Sequence, residues 1–170
     1  MSRIDPDTII ARLGLGPLPV EGGLFVQTWR SGSDTSPSGT ATYAALTDDP
    51  DSFSAMHRLP VDEIWHFYLG DPVDLLLLHP DGTHSTPRLG QDVLNGQHVQ
   101  FVVPAGYWFG ASLAPGGRFA LFGNTLAPGF HSGLYEGGER AALAAGWPDA
   151  AERIAALTRP GGELSMPPGL

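Results

Sequence analysis

The sequence predicts an all-β protein, an antiparallel sandwich or a closed barrel. Three observations carry that prediction. About nine short runs rich in β-branched and aromatic residues follow one another between residues 24 and 125, with no helical period between them. The 23 glycines and 16 prolines are scattered between these runs without a repeat, as turn residues are in a series of hairpins. Asp81-Gly82 separates LLLLHP from THSTPRL in the pattern of a tight hairpin, and Asn95-Gly96 before HVQFVVP marks a second turn.

In chain order, the first element is a short helix over about 5–13. Asp5 can cap it, Pro6 suits its first turn, Ile9, Ile10 and Leu13 form an apolar face, and Gly14 closes it. That face is expected to lid the barrel. The barrel spans about 21–135, with strands expected at 24–30, 41–47, 53–59, 63–69, 73–79, 84–89, 98–103, 107–113 and 118–125, and a Ser/Thr/Gly/Pro loop at 31–40. After Pro128-Gly129 the composition turns helical, giving two short helices within about 137–158, one over 139–145 and one over 148–157, divided by Gly146. Arg159-Pro160-Gly161-Gly162 then opens a loose tail, 159–170. One domain over 1–170 accommodates all of this, since a chain of this length buries a continuous core without staples.

Composition narrows the partners. The net charge is −9 and all nine basic residues are arginines spread from Arg3 to Arg159, so no positive stripe exists to hold nucleic acid or an anionic membrane. Cysteine is absent, which removes disulfides, thiolate metal sites and a Cys nucleophile. The N-terminal MSRIDPDTIIARLGL lacks the apolar core of a signal peptide, and no run approaches the roughly 18 apolar residues of a membrane span. A cytoplasmic protein is expected, with a hydrophobic fraction of 42% and a mean hydropathy of −0.04. Gly22-Gly23 is too short to cradle phosphate, and no nucleophile elbow supports a serine triad.

The stretch MHRLPVDEIWHFYLGDP, residues 56–72, concentrates the chemistry. His57 and Glu63 flank a turn at 59–62, and antiparallel pairing of the two runs would bring an imidazole and a carboxylate to one depth in a pocket. The bland alternative is a satisfied, half-buried histidine beside a turn acid. Strand alternation puts Glu63, Trp65 and Phe67 on one face and Ile64, His66 and Tyr68 on the other, so His66 reaches the pocket only through a bulge.

This stretch resembles the first cupin motif, in which two histidines one residue apart precede a glutamate and then a glycine. His57, Leu59, Glu63 and Gly70 occupy that spacing. Gly96 through VQFVVPAGYWF resembles the second motif, with Pro104-Ala105-Gly106 as its turn and Phe109 where a histidine would stand. Together with EGGLF…TWR and APGF, these residues are similar to the single-domain cupin subfamily called cupin type 5, over roughly 5–157. The resemblance implies a cupin-type antiparallel jelly-roll barrel, or double-stranded β-helix, with one short N-terminal and two short C-terminal helices. It also implies a homodimer and a small-molecule ligand inside the barrel.

Metal-binding cupins hold their ion with the two histidines and glutamate of the first motif and the histidine of the second. Leu59 and Phe109 have no donor atom, so no cofactor is expected; a metal, if bound, would need His57, Glu63 and His66. The same pocket suits proton transfer, with His57 as base and Glu63 orienting it. Metal-free cupins that this chain resembles include sugar-nucleotide epimerases and small dehydratases, which makes an isomerase, epimerase or dehydratase the preferred expectation. A degenerate metal-dependent enzyme and a non-catalytic binding protein are the alternatives. Arg30 can clamp an anion or simply sit at the surface, and Trp65 can stack on a ligand or fill the core. Tyr43, His66, Gln100 and Phe109 complete the candidate binding set. His79, His84, His98 and His131 are expected in solvent.

Overall fold

A computed structural model describes residues 5–170; residues 1–4 lie outside the described residues. Helix α1 (Pro6–Leu13) ends at Gly14 with φ +69°, the left-handed closure that glycine supplies without a Cβ penalty. Asp5 occupies the cap position, but its carboxylate accepts from the Thr8 hydroxyl at 2.5 Å instead of from a backbone N–H.

Twelve strands follow: β1 (Gly16–Pro17), β2 (Leu24–Gly32), β3 (Pro37–Thr47), β4 (Ser54–Arg58), β5 (Glu63–Gly70), β6 (Val73–Leu78), β7 (His84–Ser85), β8 (Arg88–Leu89), β9 (Gln100–Val103), β10 (Trp108–Leu113), β11 (Phe119–Leu126) and β12 (Glu136–Gly137). They form two antiparallel sheets. The first has the order β1-β2-β3-β11-β5-β9; the second has β12-β4-β10-β6-β7, with β8 also paired to β6. The chain therefore folds as an antiparallel jelly roll; the short runs predict the antiparallel all-β class, and the cupin resemblance implies the jelly roll within it. Asp81-Gly82 makes the β6–β7 hairpin, in which Leu78 pairs with His84 and Gly82 takes φ +88°. The loop expected at 31–40 is mostly strand, because β2 runs to Gly32 and β3 begins at Pro37, leaving a four-residue turn. The single run expected at 84–89 is two short strands, β7 and β8, interrupted before Arg88 by Pro87, which has no N–H for a ladder.

Side-chain alternation divides the apolar residues into layers. Ala44, Leu46, Trp65, Phe67, Leu75, Leu77, Phe109 and Phe122 meet between the sheets and close the deep half of the barrel. The run LLLL of β6 is buried on both faces: Leu75 and Leu77 point inward, while Leu76 and Leu78 point outward onto Leu143, Ile154 and Leu157. That outer layer comes from α2 (Arg140–Gly146) and α3 (Ala151–Ala156), the two expected C-terminal helices. Burying a residue such as Ile154, which is inaccessible to solvent, contributes roughly 1.5–3 kcal/mol, so these helices belong to the folded unit.

Two expectations about covering segments change. Helix α1 does not lid the barrel; Ile9, Ile10 and Leu13 pack on Ala45, Phe119 and Leu121, which project from the outer face of the first sheet. An alternating strand leaves that face apolar as well, and the helix covers it. Segment 159–170 has no regular structure but is not loose. The Leu164 carbonyl accepts from Gly137 N–H at 2.7 Å, and Met166 is buried against Leu59, Leu126 and Tyr135. Among the described residues, no helix is long and apolar enough to cross a membrane.

Candidate functional site

The sheets border a cavity of about 870 Å³ that reaches the inter-sheet core at Ala44, Leu46 and Phe122. His57, Glu63, Glu21, Arg30 and Asn124 all line it. His57 and Glu63 are thus brought together, but not by the pairing that their spacing suggests. Strand β4 belongs to the second sheet and β5 to the first, so residues 59–62 cross between sheets and the two side chains line the cavity from different sheets. The Pro104-Ala105-Gly106 turn pins this crossover. Gly106 N–H donates to the Leu59 carbonyl at 2.7 Å, and Ala105 N–H donates to the Asp62 carboxylate at 2.8 Å.

His57 is almost completely buried, stacked on Tyr135 at 4.9 Å and tilted against Phe109 at 4.2 Å. Its Nδ1 lies 2.7 Å from the Ala55 carbonyl, which can only accept; Nδ1 therefore carries the proton and Nε2 keeps its lone pair in the neutral ring. The carboxylate nearest Nε2 is not Glu63 but Glu21, with Oε2 at 3.9 Å. Glu21 was not expected in the site. It is fixed by Ser54, whose hydroxyl donates to Oε1 at 2.7 Å, and by its own carbonyl, which accepts from Ala55 N–H and from Arg159.

Gly22 makes that loop feasible. Its φ is +97°, and a Cβ there would lie 2.5 Å from both the Phe53 carbonyl oxygen and the Arg159 guanidinium. Gly22→Ala is therefore expected to cost about 1–3 kcal/mol in backbone strain alone, with the clash added. Gly82→Ala, at φ +88° with open space around it, should cost distinctly less. Chemical denaturation of the two variants checks the order.

Glu63 is the perturbed group. Burial and the charge of Glu21 raise its pKa from 4.5 to about 8, while the Trp65 indole N–H, donating at 3.0 Å to Oε2, pulls it back. Glu63 is thus mostly a neutral acid at pH 7. Trp65 is locked against the face of Phe122 at 4.7 Å and does not line the cavity, so it fills the core and positions Glu63. Trp65→Phe removes the donor and should move the Glu63 titration above about 8, read from the pH dependence of its infrared carboxylic-acid band. Tyr135, another residue not anticipated, has its phenol pushed well above the usual range by burial and by Glu21, and remains protonated.

The rest of the candidate set separates by face. Arg30 lines the cavity, whereas Phe109 reaches the site only by packing on His57. Tyr43, His66 and Gln100 do not line the cavity, because register puts them on the outer face of the first sheet. There Gln100 Nε2 lies 3.2 Å from His66 Nδ1, His66 Nε2 lies 3.0 Å from the Thr125 hydroxyl, and Tyr43 meets Tyr68 edge to face. The bulge between β5 and β11 falls beyond His66, so alternation is not broken where it would need to be. His131, expected in solvent, is half-buried and lines the cavity instead.

His66 on the outer face rules out the set His57, Glu63 and His66 as ligands. Leu59 and Phe109 are buried in apolar clusters at the two positions where metal-binding cupins carry histidines. Among the described residues, no three His, Asp or Glu side chains are arranged to hold an ion, so the residues present do not fit a resident metal.

Two antiparallel sheets closed around a cavity with a histidine and a glutamate inside define a cupin barrel. The chain belongs to the family described as Cupin superfamily (DUF985), whose profile matches residues 7–136. Protein SO0799 from Shewanella oneidensis is 31% identical with a TM-score of 0.84, over 93% of this chain and 99% of that one. A hypothetical protein from Leishmania major is 29% identical with a TM-score of 0.76, over 89% and 95% of the two chains. Oxalate decarboxylase from Bacillus subtilis shares the fold at 15% identity and a TM-score of 0.56, over 92% of this chain and 40% of that one. No curated protein matches the sequence.

Proposed function

We propose that the protein binds a small metabolite in the barrel cavity and transfers protons on it, as an isomerase, epimerase or dehydratase does. The observation that carries this reading is one cavity holding an imidazole whose Nδ1 is committed to the Ala55 carbonyl, leaving Nε2 as the acceptor, and Glu63 with a pKa raised to about 8. A proton acceptor and a carboxylic acid that keeps its proton, in one cavity, are what acid–base chemistry at neutral pH requires.

In this scheme His57 Nε2 takes a proton from a carbon next to a carbonyl. The electron pair of the broken C–H bond moves into the carbonyl, and Glu63 gives its proton to the oxygen. Return of a proton to either face of the carbon, with Glu63 recovering its own, gives an isomer or epimer. Donation by Glu63 to a hydroxyl one carbon further along expels water and gives dehydration. Glu21 stabilises the transient imidazolium from 3.9 Å, which revises the pairing expected from sequence: Glu63 is the acid and Glu21 the partner of His57.

Incubating the protein in D₂O with small oxo and hydroxy acids and following deuterium entry into carbon-bound positions by NMR tests the reading. Enzyme-dependent exchange is expected. Binding without exchange for every compound would favour a carrier over a catalyst. A homodimer belongs to the same proposal, and sedimentation equilibrium reads it directly.

A further inference from the structure

We propose that the cavity carries a carboxylate subsite built from Arg30 and Asn124, and that its ligand is a small organic acid. The inference rests on the cavity being the reaction site, and it adds the class of substrate.

Arg30 stands at the cavity wall on β2, half-buried. Its guanidinium donates to two carbonyls, Phe130 at 3.1 Å and Asp34, and these neutral acceptors hold the fork without cancelling its charge. A guanidinium has more N–H groups than those two oxygens take, and Arg30 Nε is buried with no hydrogen-bond partner. The nearest carboxylate, Asp34, lies 3.8 Å away with its side chain fully in solvent, where an ion pair is worth little. Asn124 on β11 is 9% exposed, lines the same cavity, and has a buried Nδ2 with no partner. Buried donors without acceptors are rare and each calls for one. The cationic, planar Arg30 fork is complemented by a planar anion, a carboxylate fitting best, and the Asn124 amide on the same wall calls for a further acceptor on the same ligand.

Register sets the span between this subsite and the proton-transfer groups. Arg30 pairs with Thr40, Thr40 with Leu126, and Leu126 with Glu63, so Arg30 and Glu63 lie in one row across the inner face of the first sheet, three strands apart. At about 4.8 Å per strand their backbones are separated by about 14 Å, a span that two long side chains and a ligand of a few carbon atoms can bridge. Thr40, Leu126, Ala44 and Phe122 line the cavity between and around them, a mixed wall with room for a short carbon chain. The ligand that fits has a carboxylate at one end and a carbonyl or hydroxyl a few carbons away.

The test compares 2-oxobutyrate, 3-hydroxybutyrate and 4-oxopentanoate with their neutral amides, by NMR titration of the intact protein. At least one acid should bind, and at least about tenfold more tightly than its amide. Arg30→Gln should cost that acid at least about tenfold, and Asn124→Asp, which puts a negative charge against the carboxylate, a similar factor. If Arg30→Gln does not fold, Arg30→Lys keeps the charge without the fork and should still weaken binding. No binding by any acid, equal binding of acid and amide, or wild-type affinity in the folded variants overturns the subsite. Arg30-dependent binding with no deuterium exchange would sustain the subsite and overturn the proton-transfer reading; exchange indifferent to Arg30→Gln would do the reverse.

Discussion

Replacing Glu63 with glutamine is expected to flatten the pH dependence of stability between about 4.5 and about 8, and to leave the variant more stable than the wild type at the alkaline end. The sign follows from linkage. Below about pH 4.5 the carboxyl is protonated both in the unfolded chain and in the barrel, and the burial of Glu63 as a neutral acid carries no ionisation penalty. Between about 4.5 and about 8 the unfolded chain releases that proton and the folded one keeps it. Unfolding then becomes easier by about 1.4 kcal/mol per pH unit. Above about 8 both states are ionised and the loss levels off at a few kcal/mol. Glutamine has no proton to lose, so this loss disappears. Denaturant melts of both proteins at a series of pH values measure it. Parallel curves would mean that Glu63 ionises normally and is not the acid of the site. Glu21→Gln is a useful companion, because removing the second-largest cause of the shift should bring the titration of Glu63 down towards the ordinary carboxyl range.

His57→Ala is expected to abolish deuterium exchange on any compound the wild type turns over, a loss of about 10²–10⁴-fold for a positioned general base. Its ring is buried between Phe109 and Tyr135, so alanine also leaves a void; His57→Gln, closer in volume, separates lost chemistry from lost packing. Both variants should keep the circular dichroism of a β protein, since the sheet ladders do not run through the imidazole. An unchanged exchange rate in folded His57→Gln would remove His57 from the mechanism. Glu21→Gln should slow exchange less, because it weakens the stabilisation of the imidazolium without removing the base.

Much of the architecture was readable in advance because its causes are local. A period of two, turn residues at Asp81-Gly82 and Asn95-Gly96, and Gly14 at a helix end are short-range signals, and the strands and helices they predict are present. Alternation along 63–68 placed Glu63 inside and His66 on the opposite face, as found. The double-sided apolar run of β6 was visible as LLLL, although what covers its outer face comes from residues 140–157.

The candidate site was only half readable. His57 and Glu63 were singled out by type and spacing and Arg30 by its place at a strand end, and all three line the cavity; Tyr43 and Gln100 were expected to point inward by register and His66 only through a bulge, but strand parity turns all three away. Glu21 sat in EGGLF, a segment already noticed, and an acid beside two glycines was the available signal. Its role depends on Gly22 fitting against Phe53 and on Arg159 holding the loop, contacts between distant parts of the chain. Tyr135 and Asn124 gave no signal at all. The sequence by itself thus determined which residues can alternate, turn and carry charge, because these follow from each residue and its neighbours. Only the tertiary structure decided which carboxylate faces the imidazole, which one stays protonated and where Arg30 points, because desolvation and electrostatics depend on what the fold brings within a few ångströms.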